Sequence, residues 1–215
     1  MVTFTATTRT WAVVEGGGDH GCEYTGGGTK EQAGMSVKSP GVDARPLPAW
    51  GFYARNVDVL EFDNVRLRCE KEDMRPVLMC DGVKRLTLDG LRFRRSADAA
   101  DPLVLDHVGQ IEVKQSDVSL VRTQLRDIKL TSQDASGRFV AGGKYTVSVT
   151  AENGNEEGLA KVEVSVAGQT TASWMWLRPG EKKGVVFTGL IAPEPGRHEV
   201  RAGDLSASLV VEERQ

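Results

Sequence analysis

Apolar and polar residues alternate in short runs through the first half of the chain, and the runs recur at a fixed distance. Val57-Asp-Val-Leu-Glu-Phe-Asp-Asn-Val-Arg-Leu67 aligns with Val83-Lys-Arg-Leu-Thr-Leu-Asp-Gly-Leu-Arg-Phe93 at a spacing of 26 residues. Val108-Gly-Gln-Ile-Glu-Val113 follows at a further spacing of 25. Three apolar sets fall in register: Val57/Val83/Val108, Leu60/Leu86/Ile111 and Phe62/Leu88/Val113. Alternation with period 2 predicts half-buried strands. The longer period predicts that each strand stacks on its equivalent one repeat away, since one repeat cannot bury its inward residues alone. Leading segments match as well: Phe52–Asn56, Val77–Asp81 and Leu103–Asp106. Asn64 and Asp89-Gly90 fall where a corner joins two strands, and these residue types tolerate left-handed backbone. Together these features predict the last coils of a right-handed parallel β-helix. Val2–Val14 is expected to supply strands of an earlier coil, and residues 15–48, rich in Gly and Pro, an irregular loop.

Beyond Val121 the long period stops. Seven short strands are predicted at Ile128–Thr131, Lys144–Ala151, Ala160–Ala167, Thr170–Leu177, Gly184–Leu190, His198–Ala202 and Ser206–Glu212. Pro179-Gly180, Pro195-Gly196 and Gly203-Asp204 mark turns between them. That density of short strands suggests an immunoglobulin-like β-sandwich. The fold class is therefore all-β, with a partial β-helix over residues 1–121 and a sandwich over 122–215.

Composition changes this picture little. The chain has 215 residues, 24 of them Gly, and a formal charge of −3. That balance argues against nucleic acid as a partner, since phosphate binders usually carry a basic excess. No run reaches the about 18 apolar residues of a membrane span. No basic-then-apolar signal segment is read at the N-terminus. The three cysteines, Cys22, Cys69 and Cys80, suit no complete disulfide framework; Cys69 and Cys80 read as buried small hydrophobes, with a bridge between them left open.

Gly26-Gly-Gly-Thr-Lys-Glu-Gln-Ala33, Leu47-Pro-Ala-Trp-Gly-Phe-Tyr-Ala-Arg-Asn-Val57, Asn64-Val-Arg-Leu-Arg68, Arg75-Pro76 and Cys80-Asp-Gly-Val83 resemble the C-terminal coils of bacterial polygalacturonase-like proteins, the pectin-degrading glycoside hydrolases of family 28. This resemblance covers residues 24–116. Gly143-Lys-Tyr-Thr-Val-Ser-Val-Thr150, Leu177-Arg-Pro-Gly-Glu-Lys182, Val185-Val-Phe187 and Pro195-Gly-Arg-His198 resemble a bacterial adhesion-related sandwich of the CARDB type, over about residues 125–212. The first resemblance implies a β-helix whose activity lies in clustered aspartates, an acidic plant polysaccharide as partner, and an extracellular or periplasmic location.

The aspartate motifs themselves are missing. Asn-Thr-Asp, Asp-Asp, Gly-His-Gly and Arg-Ile-Lys do not occur; Asp19-His20-Gly21 and Arg126-Asp-Ile-Lys129 echo two of them superficially. His20, His107 and His198 lack metal-ligand spacing, and no nucleotide loop or Gly-x-Ser-x-Gly elbow is present, so neither a metal nor a cofactor is expected. Asp81 and Asp106 recur one repeat apart, which would place two carboxylates on neighbouring strands; corner capping is the plainer role. Trp50, Tyr53 and Arg75 are candidates to touch carbohydrate, against a role as loop anchors and a solvated cation. Trp174 and Trp176 share one strand face, in a core or as an exposed platform.

Three functions are consistent with these residues. The chain is expected to be the C-terminal or truncated part of a pectinase-like hydrolase, non-catalytic alone. Alternatives are a carbohydrate-binding or cell-surface adhesion module, and an active polysaccharide hydrolase using Asp81 and Asp106. A β-helix end with an open edge also predicts self-association.

Overall fold

The structure is a computed structural model that describes the backbone of residues 3–16, and residues 48–68, 73–94 and 101–214. Every regular element among these is a β-strand. The chain divides into two compact units, Met1–Leu120 and Val121–Gln215.

In the first unit β1 (Thr3–Gly16) is followed by β2 (Phe52–Asp63), β3 (Arg66–Leu67), β4 (Leu78–Asp81), β5 (Arg85–Asp89), β6 (Arg92–Phe93), β7 (Leu103–Asp106) and β8 (Gln110–Lys114). All pairings between the repeats are parallel. Phe52 stands opposite Leu78, and Leu78 opposite Leu103. Leu60 stands opposite Leu86, and Leu86 opposite Ile111. Arg66 stands opposite Arg92. The register therefore follows the 25- and 26-residue spacing at every step. Parallel strands need a long connection, and here the rest of each repeat supplies it.

Burial follows the same columns. Ala54, Cys80 and Leu105 form one buried set, Val57, Val83 and Val108 a second, and Leu60 and Leu86 are both fully buried. Ile111 and Val113, in the third tier, are only half-buried. Two columns of left-handed residues turn the chain within each tier: Asn56, Gly82 and His107 at one corner, and Asn64, Gly90 and Gln115 at the other. At Gly90 φ is 66°, and an added Cβ would lie 3.1 Å from the Asn64 Cα, so the close approach as well as the backbone requires glycine. Asn56 bends β2 so that its first part pairs with β4 and its last with β5.

Among the described residues the sheet of β3 and β6 has no third strand. Side chains of the next repeat take its place: the Leu91 N–H donates to the Ser116 Oγ at 3.0 Å, and the Phe93 N–H to Asp117 Oδ2 at 3.0 Å. Buried or half-buried backbone donors are thereby satisfied without another rung.

β1 departs from expectation. It runs antiparallel to β2, from Thr3 opposite Asp63 to Gly16 opposite Phe52, rather than supplying strands of an earlier parallel coil. It lies along the edge of β2 that was expected to stand open. Most of the predicted loop at 15–48 and Cys22 and Cys69 fall outside the described residues. Cys80 is a buried free thiol, so the bridge to Cys69 is not formed.

β9 (Leu120–Val121) falls at the division between the units, and the second unit continues with β10 (Thr123–Ser132), β11 (Lys144–Asn153), β12 (Gly158–Val166), β13 (Gln169–Leu177), β14 (Lys182–Ile191), β15 (Gly196–Ala202) and β16 (Leu205–Val211). Each of the seven predicted strands is present, and β9 is an addition. One antiparallel sheet has the order β10-β11-β14; the other has β13-β12-β15-β16, with β9 beside β12. Tyr145, Val147 and Val149 from the first sheet share a single apolar core with Val162, Val164, Val200 and Leu209 from the second. Asn153 is buried beside this core, where its Nδ2 donates to the Arg178 carbonyl at 2.9 Å and to the Glu156 carbonyl.

Candidate functional site

Asp81 and Asp106 end β4 and β7 and stand opposite each other in parallel register. Adjacent strands lie about 4.8 Å apart, so the repeat does bring these two residues together. Arg55 precedes them in the same column, opposite Asp81. Its Nε lies 3.2 Å from Asp81 Oδ2, and His107 Nδ1 lies 3.2 Å from Asp81 Oδ1. Both carboxylate oxygens of Asp81 are thus engaged. His107 reaches back because its own φ of 52° turns the chain there, leaving its side chain 86 % exposed. Asp106 is exposed. The arrangement is a surface charge ladder of one cation, two carboxylates and one imidazole. A glycosidase needs one carboxyl free to give a proton beside a second, ionised one, whereas here both oxygens of Asp81 are already engaged by Arg55 and His107.

The carbohydrate candidates are placed differently from one another. Trp50 is 6 % exposed, which removes its ring as a platform for sugar and makes it part of the core. Its backbone N–H donates to the Pro76 carbonyl on the next tier at 2.9 Å. Arg75 sits beside Pro76, but its guanidinium is held by Asp73: Nη2 to Oδ2 is 2.6 Å and Nε to Oδ1 is 3.0 Å. The same Arg75 hydrogen bonds hold the Asp73 carboxyl below the usual carboxylate range, although burial opposes them. Arg75 is therefore an anchor of its own loop and not a solvated cation. Tyr53 is half-buried on β2, opposite Met79.

Trp174 and Trp176 are both buried, so the exposed-platform alternative fails. The Trp176 Nε1–H donates to Glu157 Oε1 at 2.9 Å, which satisfies its polar edge. Lys161 Nζ stands 5.6 Å from the centre of the Trp174 ring.

A cavity of about 610 Å³ opens in the second unit, walled by Arg122, Leu125, Arg126, Lys161, Glu163 and Asp204 among others. Its cations are largely committed: Arg126 Nε lies 3.3 Å from Glu152 Oε2, and Lys161 pairs with Glu163. Lys182 and Arg126 together hold Glu152 below the usual carboxylate range. The pattern Arg122-x-x-x-Arg126 was the only trace of this cavity in the sequence, and it did not single itself out. None of the predicted site residues lines it.

Among the described residues no group of three or more His, Cys, Asp or Glu side chains could hold a metal ion. Nor is any helix among them long and apolar enough to cross a membrane. Burial pushes the Cys80 thiol far up, which makes it a core residue and not a nucleophile. Asp19-His20-Gly21 lies outside the described residues.

No family model matches this chain, and no curated protein matches it. Among solved structures it is similar to a β-D-glucoside glucohydrolase from Trichoderma reesei, with a TM-score of 0.33 and 13 % identity. The match covers 43 % of this chain and 19 % of that one, so the chain spans about a fifth of that protein's length. A likeness this slight carries no conclusion about fold or function.

Proposed function

We propose that this chain is the C-terminal or truncated portion of a pectinase-like glycoside hydrolase: the end of a right-handed parallel β-helix followed by an immunoglobulin-like, CARDB-type sandwich, non-catalytic on its own. The proposal places it outside the bacterial cell or in the periplasm, against an acidic plant polysaccharide. The observation that carries it is the unbroken parallel register at 25- and 26-residue steps, with its two columns of left-handed corners. The residues that would make such a coil catalytic are missing, and the nearest substitute, Asp81, is bound to Arg55 and His107.

A reducing-sugar assay on polygalacturonate tests it. The expected result is no turnover above the blank. Turnover abolished by Asp81→Asn or Asp106→Asn would overturn the non-catalytic claim and favour the reading in which those two residues act as acid and base. That reading has one observation on its side, the register neighbourhood of the two carboxylates. The adhesion-module reading has lost its aromatic platform and would need a glycan array to revive it.

A further inference from the structure

The repeat that aligns apolar residues also aligns arginines. Val65-Arg-Leu-Arg68 and Leu91-Arg-Phe-Arg94 occupy the same place in successive repeats. β3 and β6 pair in parallel with Arg66 opposite Arg92, and Arg68 and Arg94 follow at the same offset. All four arginines are exposed, while Leu67 and Phe93 between them are half-buried. Alternation along a strand puts residues two apart on one face, and parallel neighbours about 4.8 Å apart share that face. The four guanidinium groups therefore project from one small surface.

Like charges directly opposite each other across a sheet are destabilising. One carboxylate offsets this cluster: Asp117 Oδ1 lies 2.7 Å from Arg92 Nη1. Burial works to raise the Asp117 carboxyl, but the Arg92 hydrogen bond, the Phe93 N–H and the charge of Arg66 hold it below the usual range. Among the described residues Arg92 alone of the four has a carboxylate at ion-pair distance, Asp117, while Arg66 feels the same carboxylate from farther off; the four cations thus share one such partner on a chain of net charge −3.

We infer that the Arg66/Arg68/Arg92/Arg94 surface binds an anionic linear polysaccharide, its carboxylate or sulfate groups accepting hydrogen bonds from the guanidinium forks. Planar guanidinium groups match such oxyanions in two-pronged geometry. A repeating polyanion suits a repeating array of cations better than a single small anion does. Single-stranded nucleic acid is disfavoured because its binding sites stack bases on aromatic rings, and among the described residues the large exposed apolar side chains are Met74, Leu120, Val186, Ile191 and Val210, none of them aromatic. The absence of exposed rings among the described residues also makes charge, and not stacking, the means of holding a sugar chain. That the polyanion is a glycan rests on the pectinase-like reading above; the charged surface itself does not.

The test measures binding of the full chain to polygalacturonate, heparin, fully methyl-esterified polygalacturonate and single-stranded DNA at low salt. The triple variant R66Q/R68Q/R94Q keeps the Arg92–Asp117 pair. A control, R85Q/K129Q/R197Q, makes the same change in net charge at exposed positions elsewhere. Thermal unfolding of both variants checks that they remain folded. The expected result is binding to one or both acidic polymers that weakens about tenfold or more in the triple variant and not in the control. Preference between polygalacturonate and heparin then identifies the anion. Equal binding by wild type and triple variant, or binding only to the esterified polymer, overturns the patch and leaves the carbohydrate reading standing. Equally arginine-dependent binding to DNA overturns the glycan as occupant. Binding to none of the four overturns this inference and the carbohydrate reading together.

Discussion

Leu86 sits at the centre of the first unit's stack. It is fully buried, with Leu60 opposite it on one side and Ile111 on the other. Truncation to alanine removes three carbons from a site that neighbouring backbone cannot collapse into, because parallel hydrogen bonds hold the tiers at a fixed spacing. The expected loss for Leu86→Ala is about 3 to 4 kcal/mol, within the range for buried Leu→Ala changes. Ile111 occupies the same column but is half-buried in the third tier. Ile111→Ala forfeits about half the transfer term and leaves no closed cavity, so about 1 to 1.5 kcal/mol is expected. Guanidinium titration followed by fluorescence and far-ultraviolet circular dichroism gives both values. The Trp174 and Trp176 signals of the second unit should shift little, because their burial lies in a separate unit. Equal losses for the two variants would refute the reasoning, since it makes the cost of a truncation depend on the number of tiers that cover it.

Tyr145 is fully buried and its hydroxyl has no hydrogen-bond partner. Tyr145→Phe should therefore be neutral or stabilising by up to about 1 kcal/mol in thermal unfolding. Burial also raises its hydroxyl pKa. The unfolded chain releases that proton near pH 10 and the folded chain resists doing so, so this tyrosine leaves stability unchanged below about pH 10 and lowers it above; the phenylalanine variant should lose less stability between about pH 10 and 11. Asn153→Ala leaves the Arg178 and Glu156 carbonyls without their donor and should cost about 2 to 3 kcal/mol in denaturant titration, with little recovered by Asn153→Asp, which lacks the N–H. Deleting residues 1–16 strips β1 from the edge of β2, and light scattering should then show concentration-dependent association stronger than that of the full chain.

How far the fold could be read from the chain depended on whether a pattern names its partner. Leu60/Leu86/Ile111 and Phe62/Leu88/Val113 were legible because two periods coincide there: the alternation says which residues point inward, and the repeat says which strand lies alongside. Thr3–Val14 alternates too, but alternation carries no direction, so nothing marked β1 as antiparallel. The corners at Asn64 and Gly90 were legible from residue type; those at His107 and Gln115 were not, because neither is the Asn, Asp or Gly that marks such a corner in a sequence. At the candidate site the adjacency of Asp81 and Asp106 followed from spacing. Their engagement did not, since Arg55 and His107 reach Asp81 from different repeats. Trp50 sits between Pro-Ala and Gly-Phe-Tyr, a string that looks like a surface loop, yet the Pro76 carbonyl draws it under the next tier.

Parallel stacking at a constant register has a consequence for charge. Any polar residue that recurs in the repeat becomes a column, and a column of like charges works against the fold unless something intervenes. At the first corner the column reads Arg55, Asp81, Asp106, and Arg55 and His107 between them contact both carboxylate oxygens of the middle member without a ligand. At the second sheet it reads Arg66 over Arg92 and Arg68 over Arg94, with Asp117 answering one of the four. Both columns come from the same repeat of 25 to 26 residues, so geometry alone does not separate them; their state of compensation does. A carboxylate already held at both oxygens has little left to offer a partner, which is why Asp81 is a poor foundation for catalysis. A column left positive on an otherwise acidic chain keeps its hydrogen-bond donors turned to solvent, and an oxyanion array laid across it would relieve the repulsion that the repeat imposes.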